Sequence, residues 1–279
     1  MTACTLALIA GLPRHALTAT RIGALGCAYG NLPGFLASVR ALRQAGAQAV
    51  VFCGDALGFC GHAPAMIDAL RHECAAVIAG NHDRAATRGQ NGCGCGHADP
   101  DDEAASDAAS RGQADGLDGD ALAWLASLPE ALVLDTPAGG VLLCHGSPDR
   151  INEFLYASRL DEARATDWLA ESQCRALLCS HSGLPWTLPV AGGVVVNVGS
   201  CGRPDHDGDP AVHAALIDLD GAHGDPRILR VPYDHLAWCA ALRAEGVASA
   251  LVAQLERGRW AHGSGALPPA EARARAATP

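Results

Sequence analysis

Apolar runs of strand length alternate along this chain with stretches whose apolar residues recur at helical spacing. "RIGALGC", Arg21 to Cys27, reads as a strand, and Asn31 can cap the helix after it, with Pro33 near its first turn. Leu32, Phe35, Leu36, Val39 and Leu42 give that helix one apolar stripe. "AQAVVFCGD" predicts a second strand ending in Gly54-Asp55, "APAMIDALRHE" a second helix and "CAAVIAGNHD" a third strand. Elements in that order predict a parallel sheet covered by helices.

The pattern lapses between Arg84 and Asp118, a region rich in Gly, Asp, Ala and Ser that predicts a mobile loop with at most one short helix. "DALAWLASLP" resumes a helix, and "ALVLDTP" with "GGVLLCHGSP" predicts a hairpin. A helix near Leu160–Glu171 leads to the strand "RALLCSHS". "GGVVVNVGS" and "AVHAALIDL" read as an antiparallel pair, followed by a strand near Ile228–Val231 and two helices split at Gly246. After Arg257 few large apolar residues remain, and the tail is expected to fray.

Composition narrows the class. Of 279 residues, 49% are apolar, enough for a sizeable core. The formal charge is −10, without Lys or a basic cluster, which argues against nucleic acid as a partner. The first twenty residues hold a short apolar run with no basic residue before it, a poor signal peptide and too short to span a membrane. The 12 cysteines include several inside strand-like runs (Cys53, Cys144, Cys179), which fits free thiols in a reducing cytoplasm better than a disulfide framework.

Candidate chemistry sits just past the strand ends: Gly54-Asp55, Gly80-Asn81-His82-Asp83, His145-Gly146 and Ser180-His181. In an open α/β sheet those ends face one crevice, so Asp55, Asn81, His145 and His181 can converge. A carboxylate, an amide oxygen and two imidazoles suit Mn(II), Fe(II) or Zn(II) better than calcium or magnesium.

"GDALG", "GNHD", "HGSP", "SHSGLP" and "NVGSCGRPDHDGDPAVHAALID", in that order, resemble the calcineurin-like metallophosphoesterases, in the compact bacterial branch of phosphodiesterases and diadenosine-tetraphosphatase-like proteins. The resemblance runs from about Arg21 to about Gly258, leaving 1–20 as an extension, 84–118 as an insertion and 259–279 as a flexible tail. It implies a four-layer α-β-β-α fold, a β-sandwich flanked by helices, with a two-metal site. Asp55 would bridge the metals, Asn81, His145 and His181 would complete one of them, and His82 would donate a proton or stabilise charge at the leaving group. The implied substrate is a phosphomonoester or phosphodiester, a nucleotide among them.

The other metal's ligands are altered. Where the family has Asp-x-His-Gly-Asn, this chain has Cys27-Ala28-Tyr29-Gly30-Asn31; where it has Gly-His-x-His, this chain has Ser180-His181-Ser182-Gly183. Three readings stay open: a phosphoesterase with one firmly held ion; a weak or inert relative that binds a nucleotide, a metal or a protein partner; and a re-equipped site in which Cys27 and Tyr29 hold a softer metal. The re-equipped reading draws on Cys60 and Cys201, and on the "CGCGH" cluster of Cys93, Cys95 and His97, in a loop long enough to reach across. The acidic run Asp99, Asp101, Asp102 and Glu103 reads as a solvated loop, with a lid or docking segment as the alternative. Asn31 and Arg203 are candidate substrate contacts.

Overall fold

The chain is described here from a computed structural model covering residues 9, 11–221, 225–265 and 267–276. Five strands form one sheet: β2 (Arg21–Leu25), β3 (Ala49–Cys53), β4 (Ala76–Ile78), β10 (Val212–Asp218) and β11 (Asp225–Val231), in the order β11-β10-β2-β3-β4. Six form the other: β1 (Arg14–Ala16), β5 (Ala131–Thr136), β6 (Gly139–Cys144), β7 (Cys174–Cys179), β8 (Trp186–Val190) and β9 (Gly193–Asn197), in the order β1-β5-β6-β7-β9-β8.

Strand residues divide between faces with period two. Ile22, Val51, Cys53, Val141, Leu143, Leu178 and Ile217 pack together between the sheets. Their neighbours Leu25, Val50 and Phe52 face helices α1 (Leu32–Gln44) and α2 (Ala63–Glu73). Leu142, Cys144 and Leu177 face α6 (Glu162–Ser172) on the other side. Both faces of each central strand are dry, which is why these strands read as continuous apolar runs. The arrangement is the α-β-β-α sandwich expected above.

Register positions the chemistry. β2, β3 and β4 run parallel, with Leu25 opposite Phe52 and Cys53 opposite Ile78. β6, β7 and β9 are also parallel, with Leu143 opposite Leu178 and Cys179 opposite Asn197. His145 Nδ1 and Ser180 Oγ, just past β6 and β7, both lie 2.8 Å from the Cys53 carbonyl at the end of β3, so the turns after β2, β3, β4, β6 and β7 leave on one edge of the sandwich.

"GGVVVNVGS" and "AVHAALIDL" do not pair. β9 lies between β7 and β8, and β10 lies between β2 and β11 in the opposite sheet. Both edges of each strand are thus occupied, and the connection 198–211 crosses between sheets, bonding to Gly26 through the Cys201 N–H (2.9 Å). The 84–118 region carries one full helix, α4 (Pro100–Ala109), after α3 (Asn81–Thr87). The acidic run is its cap and first turn: Asp99 caps Asp101 (2.8 Å), and acidic residues there favour a helix start. α5 (Gly119–Ser127), α7 (His235–Ala244) and α8 (Ser249–Arg257) lie where the periodicity places them. After Arg257, α9 (Pro269–Ala276) forms, and Trp260, Leu267 and Glu271 are buried. Among the described residues no helix is long and apolar enough to cross a membrane.

Candidate metal centre

Asp55 leaves β3 in the left-handed backbone region (φ 61). Asp83, in the first turn of α3, holds it there. Its buried carboxylate accepts from the N–H groups of Asp55 (2.9 Å), Gly80 (2.9 Å), Ala56 (3.0 Å) and Leu57 (3.2 Å). Gly80 is required because a Cβ there would meet Asp55 Oδ1 at 2.1 Å. That oxygen accepts from the His82 N–H (3.0 Å), while buried Oδ2 receives no hydrogen bond. Burial pulls the Asp55 carboxyl up, but His145 and His82 outweigh it and hold it well below the usual range.

Three further donors face the same point. His145 Nδ1 lies 2.8 Å from the Cys53 carbonyl, so that nitrogen carries hydrogen and Nε2 turns inward, 3.2 Å from Asp55 Oδ2. His181 Nε2 lies 3.0 Å from the Cys95 carbonyl, which turns Nδ1 inward, 3.1 Å from His145 Nε2. Asn81 Nδ2 donates to the Cys93 carbonyl (3.0 Å), and its buried Oδ1 has no partner. The 3.1 and 3.2 Å spacings match the edge of a coordination shell with bonds of about 2.0–2.2 Å. One anion and three lone pairs packed this way need a cation or a proton among them. Without an ion the proton falls on His145: burial lowers its pKa, but Asp55 raises it overall. Burial and that neighbouring charge depress His181 to about 3. The donor set fits a divalent transition metal, with its outer N–H groups already oriented.

Cys27 borders the donors and Tyr29 lines a cavity beside them. The Cys27 thiol lies within 4.8 Å of ligand atoms of Asp55 and His145, and burial with the Asp55 charge keeps it protonated. Tyr29 is buried, its phenol also held protonated by burial and by Cys27. Both keep the turn's left-handed backbone (φ 50 each). A side chain beginning at Gly183 would start 3.8 Å from Arg203 Nη2. The Arg203 guanidinium lies 4.0 Å over the Trp260 ring and 5.8 Å over Tyr29, with Nε buried and unpartnered. Among the described residues no carboxylate pairs with it. A cationic side chain therefore stands beside Gly183.

Other expectations find different places. Asn31 is fully buried and its amide is spent on structure: Nδ2 donates to the Gly202 carbonyl and Tyr233 Oη (2.9 Å each), and Oδ1 accepts from the Gly34 N–H (3.1 Å). In this structure the amide serves as a helix cap and a pin between loops. Cys60 packs beside Trp238 and Cys239, and Cys201 lies in the core under α1, away from the donors. Cys93 and Cys95 do reach across, against His82 and Asn81. His97 bonds Ser106 Oγ (3.0 Å) at the pocket wall. Tyr29, His82, Cys95, Phe154, His181 and Arg203 line a cavity of about 40 Å³. Sequence reasoning passed over Asp83, although it stands inside "GNHD". It had no signal for Gln113, which bonds His82 Nδ1 (2.8 Å), or for Phe154, whose ring lies 4.3 Å from His181.

The sequence profile of calcineurin-like phosphoesterases matches residues 20–224. No curated protein matches the chain by sequence. A metallophosphoesterase from Sphaerobacter thermophilus is similar at 24% identity, covering 86% of this chain and 100% of that one, with a TM-score of 0.65. A hypothetical protein from Pyrococcus horikoshii is similar at 19% identity, covering 88% and 100%, with a TM-score of 0.69. These two likenesses concern the fold. The profile spans most of the chain, and the chain belongs to the calcineurin-like phosphoesterase family.

Proposed function

We propose that the chain is a phosphoesterase working with one divalent ion, Mn, Fe or Zn, held by Asp55, Asn81, His145 and His181. The observation that carries this reading is the convergence of Asp55 Oδ2, Asn81 Oδ1, His145 Nε2 and His181 Nδ1, with two buried oxygens left without hydrogen bonds. A divalent ion there supplies Lewis acidity toward a phosphoryl oxygen and lowers the pKa of water.

The chain supplies the rest. Arg203 offers an unpaired guanidinium to phosphoryl oxygens, in part replacing the positive charge lost with Cys27, Tyr29 and Gly183. His82 has a proton to give a leaving oxygen: burial lowers its pKa, but Asp55 and a bond to Cys93 hold it up to about 10. The cavity of about 40 Å³ bordered by His82, His181 and Arg203 suits a phosphoryl group better than a nucleoside. The substituents of a phosphomonoester or phosphodiester, nucleotide or otherwise, would lie outward.

One observation favours a second reading, a slow or inert phosphate binder that could serve a protein partner. Three ligand positions are lost, and the Cys95 carbonyl lies against His181 across the cavity. Hydrolysis of 4-nitrophenyl phosphate and bis(4-nitrophenyl) phosphate with added Mn(II), in wild type and His145→Ala, separates the two. Turnover lost in the variant supports the enzyme; equal rates, or none in either, leave only the binder.

A further inference from the structure

Cys93 and Cys95 are buried, and with His82 they present ligand atoms within 4.8 Å of one another. Their loop is built to face this way. The Cys93 carbonyl accepts from Asn81 Nδ2 (3.0 Å), and the Cys95 carbonyl lies 3.0 Å from His181 Nε2. Asp107 of α4 accepts from the Cys93 N–H (2.9 Å), and Asn152 Nδ2 donates to the Gly94 carbonyl (2.9 Å). With the backbone fixed on both sides, the two sulfurs turn toward His82. Gln113 sets that imidazole. Its Nε2 donates to the His82 carbonyl (3.0 Å), so its Oε1 accepts from His82 Nδ1 (2.8 Å), and His82 Nε2 faces Cys95 Sγ at 3.5 Å.

We infer that His82, Cys93 and Cys95 form a second metal site, of two thiolates and an imidazole, for zinc or another thiophilic divalent ion. The 3.5 Å N–S spacing equals the tetrahedral edge of about 3.5 Å given by bonds of about 2.05 and 2.3 Å. The sulfurs stand 2.7 Å apart, and an ion parts them by about 1 Å toward the S–S edge of about 3.8 Å. Gly94 between them has a left-handed backbone and open space around its missing side chain, so the turn can yield. Two carboxylates border the site for a fourth position, Asp107 Oδ1 at 3.7 Å from Cys93 Sγ and Asp55 Oδ2 at 4.0 Å from His82 Nε2. The site replaces the ligands lost at Cys27, Tyr29 and Gly183 with residues from another loop. His82 cannot hold an ion and donate a proton through the same nitrogen, so the two roles belong to two states of metal loading.

Cobalt(II) titration of the reduced, chelator-treated full chain tests this, because thiolate ligation gives a charge-transfer band in the near ultraviolet. The expected result is two ions bound with that band, and one ion without it in Cys93→Ser/Cys95→Ser, while Cys27→Ser keeps the band. One cobalt without the band in wild type overturns the thiolate site and leaves the four-donor centre standing. A band that survives Cys93→Ser/Cys95→Ser but vanishes in Cys27→Ser overturns it in favour of Cys27. No cobalt bound overturns both centres. If the double variant does not fold, alkylation of wild type decides: zinc should slow labelling of Cys93 and Cys95 at least about tenfold, and unchanged labelling overturns the inference.

Discussion

Replacing Asp83 with Asn should loosen the metal centre without touching an ion. One buried carboxylate accepts four backbone N–H groups, two principally at each oxygen. An amide keeps one oxygen, so whichever way it turns, two donors lose their acceptor and face an NH₂ group. Each orphaned buried donor costs about 1–3 kcal/mol. The variant also sheds a buried charge, whose cost shows in the raised Asp83 pKa, from burial and then from Asp55. The net loss should fall at about 2–3 kcal/mol, nearer the lower bound for two orphaned donors. The Asp55 turn, held left-handed by those bonds, should relax, and metal affinity should fall about 10–100-fold, as for other groups that orient a ligand. Urea unfolding of the metal-free chain measures the first effect, and Mn(II) calorimetry the second. A stability loss under about 1 kcal/mol with unchanged Mn(II) affinity would refute the clasp, since one orphaned donor alone costs that much.

Three further outcomes are expected. Mn(II) binding at the four-donor centre, measured in Cys93→Ser/Cys95→Ser, should release protons, because Asp55 raises the His145 pKa and an ion must displace a proton held there; calorimetry in buffers of differing ionisation enthalpy reads it, and affinity should weaken as pH falls. Arg203→Ala should lower kcat/KM for a phosphoester by about 10–150-fold, the equivalent of about 1.5–3 kcal/mol for a hydrogen bond to a charged group, with Arg203→Lys recovering only part. His213, buried in β10, has its pKa lowered to about 4 by burial and by Arg230. The unfolded chain takes up this proton below about 6.5, so stability is full above that pH and falls as pH drops toward about 4. Denaturant midpoints across that range should slope less in His213→Leu.

Much of the fold was legible because each central strand is sealed on both faces. "RIGAL", "AVVFC" and "CRALLC" read as apolar runs bounded by turns, and the parallel β2-β3-β4 order followed from the intervening helices. Local pattern does not name a strand's partner, which is why β9 and β10 looked like a pair. β8 escaped notice as a partly exposed edge strand containing Pro189, and β1 as three exposed residues. Asp55, Asn81, His145 and His181 were legible because strand ends in parallel sheets converge. Cys93 and Cys95 could be noticed but not placed, since their approach depends on Asp107 and Asn152 folding the loop back. Asp83 was visible as a residue, but its role appears only when four amides are seen pointing at it. The fate of Asn31 likewise depended on Tyr233 and Gly202, distant in sequence and close in space.

The central claim is that Asp55, Asn81, His145 and His181 hold one divalent ion. Mn(II) calorimetry on reduced Cys93→Ser/Cys95→Ser tests it most directly, because that background lacks the thiolate pair. The account predicts one ion per chain in this background, with affinity at least about 100-fold weaker when His145→Ala is added, the outcome expected when a buried donor set loses an imidazole. No Mn(II) binding, or binding that His145→Ala leaves unchanged, would contradict it.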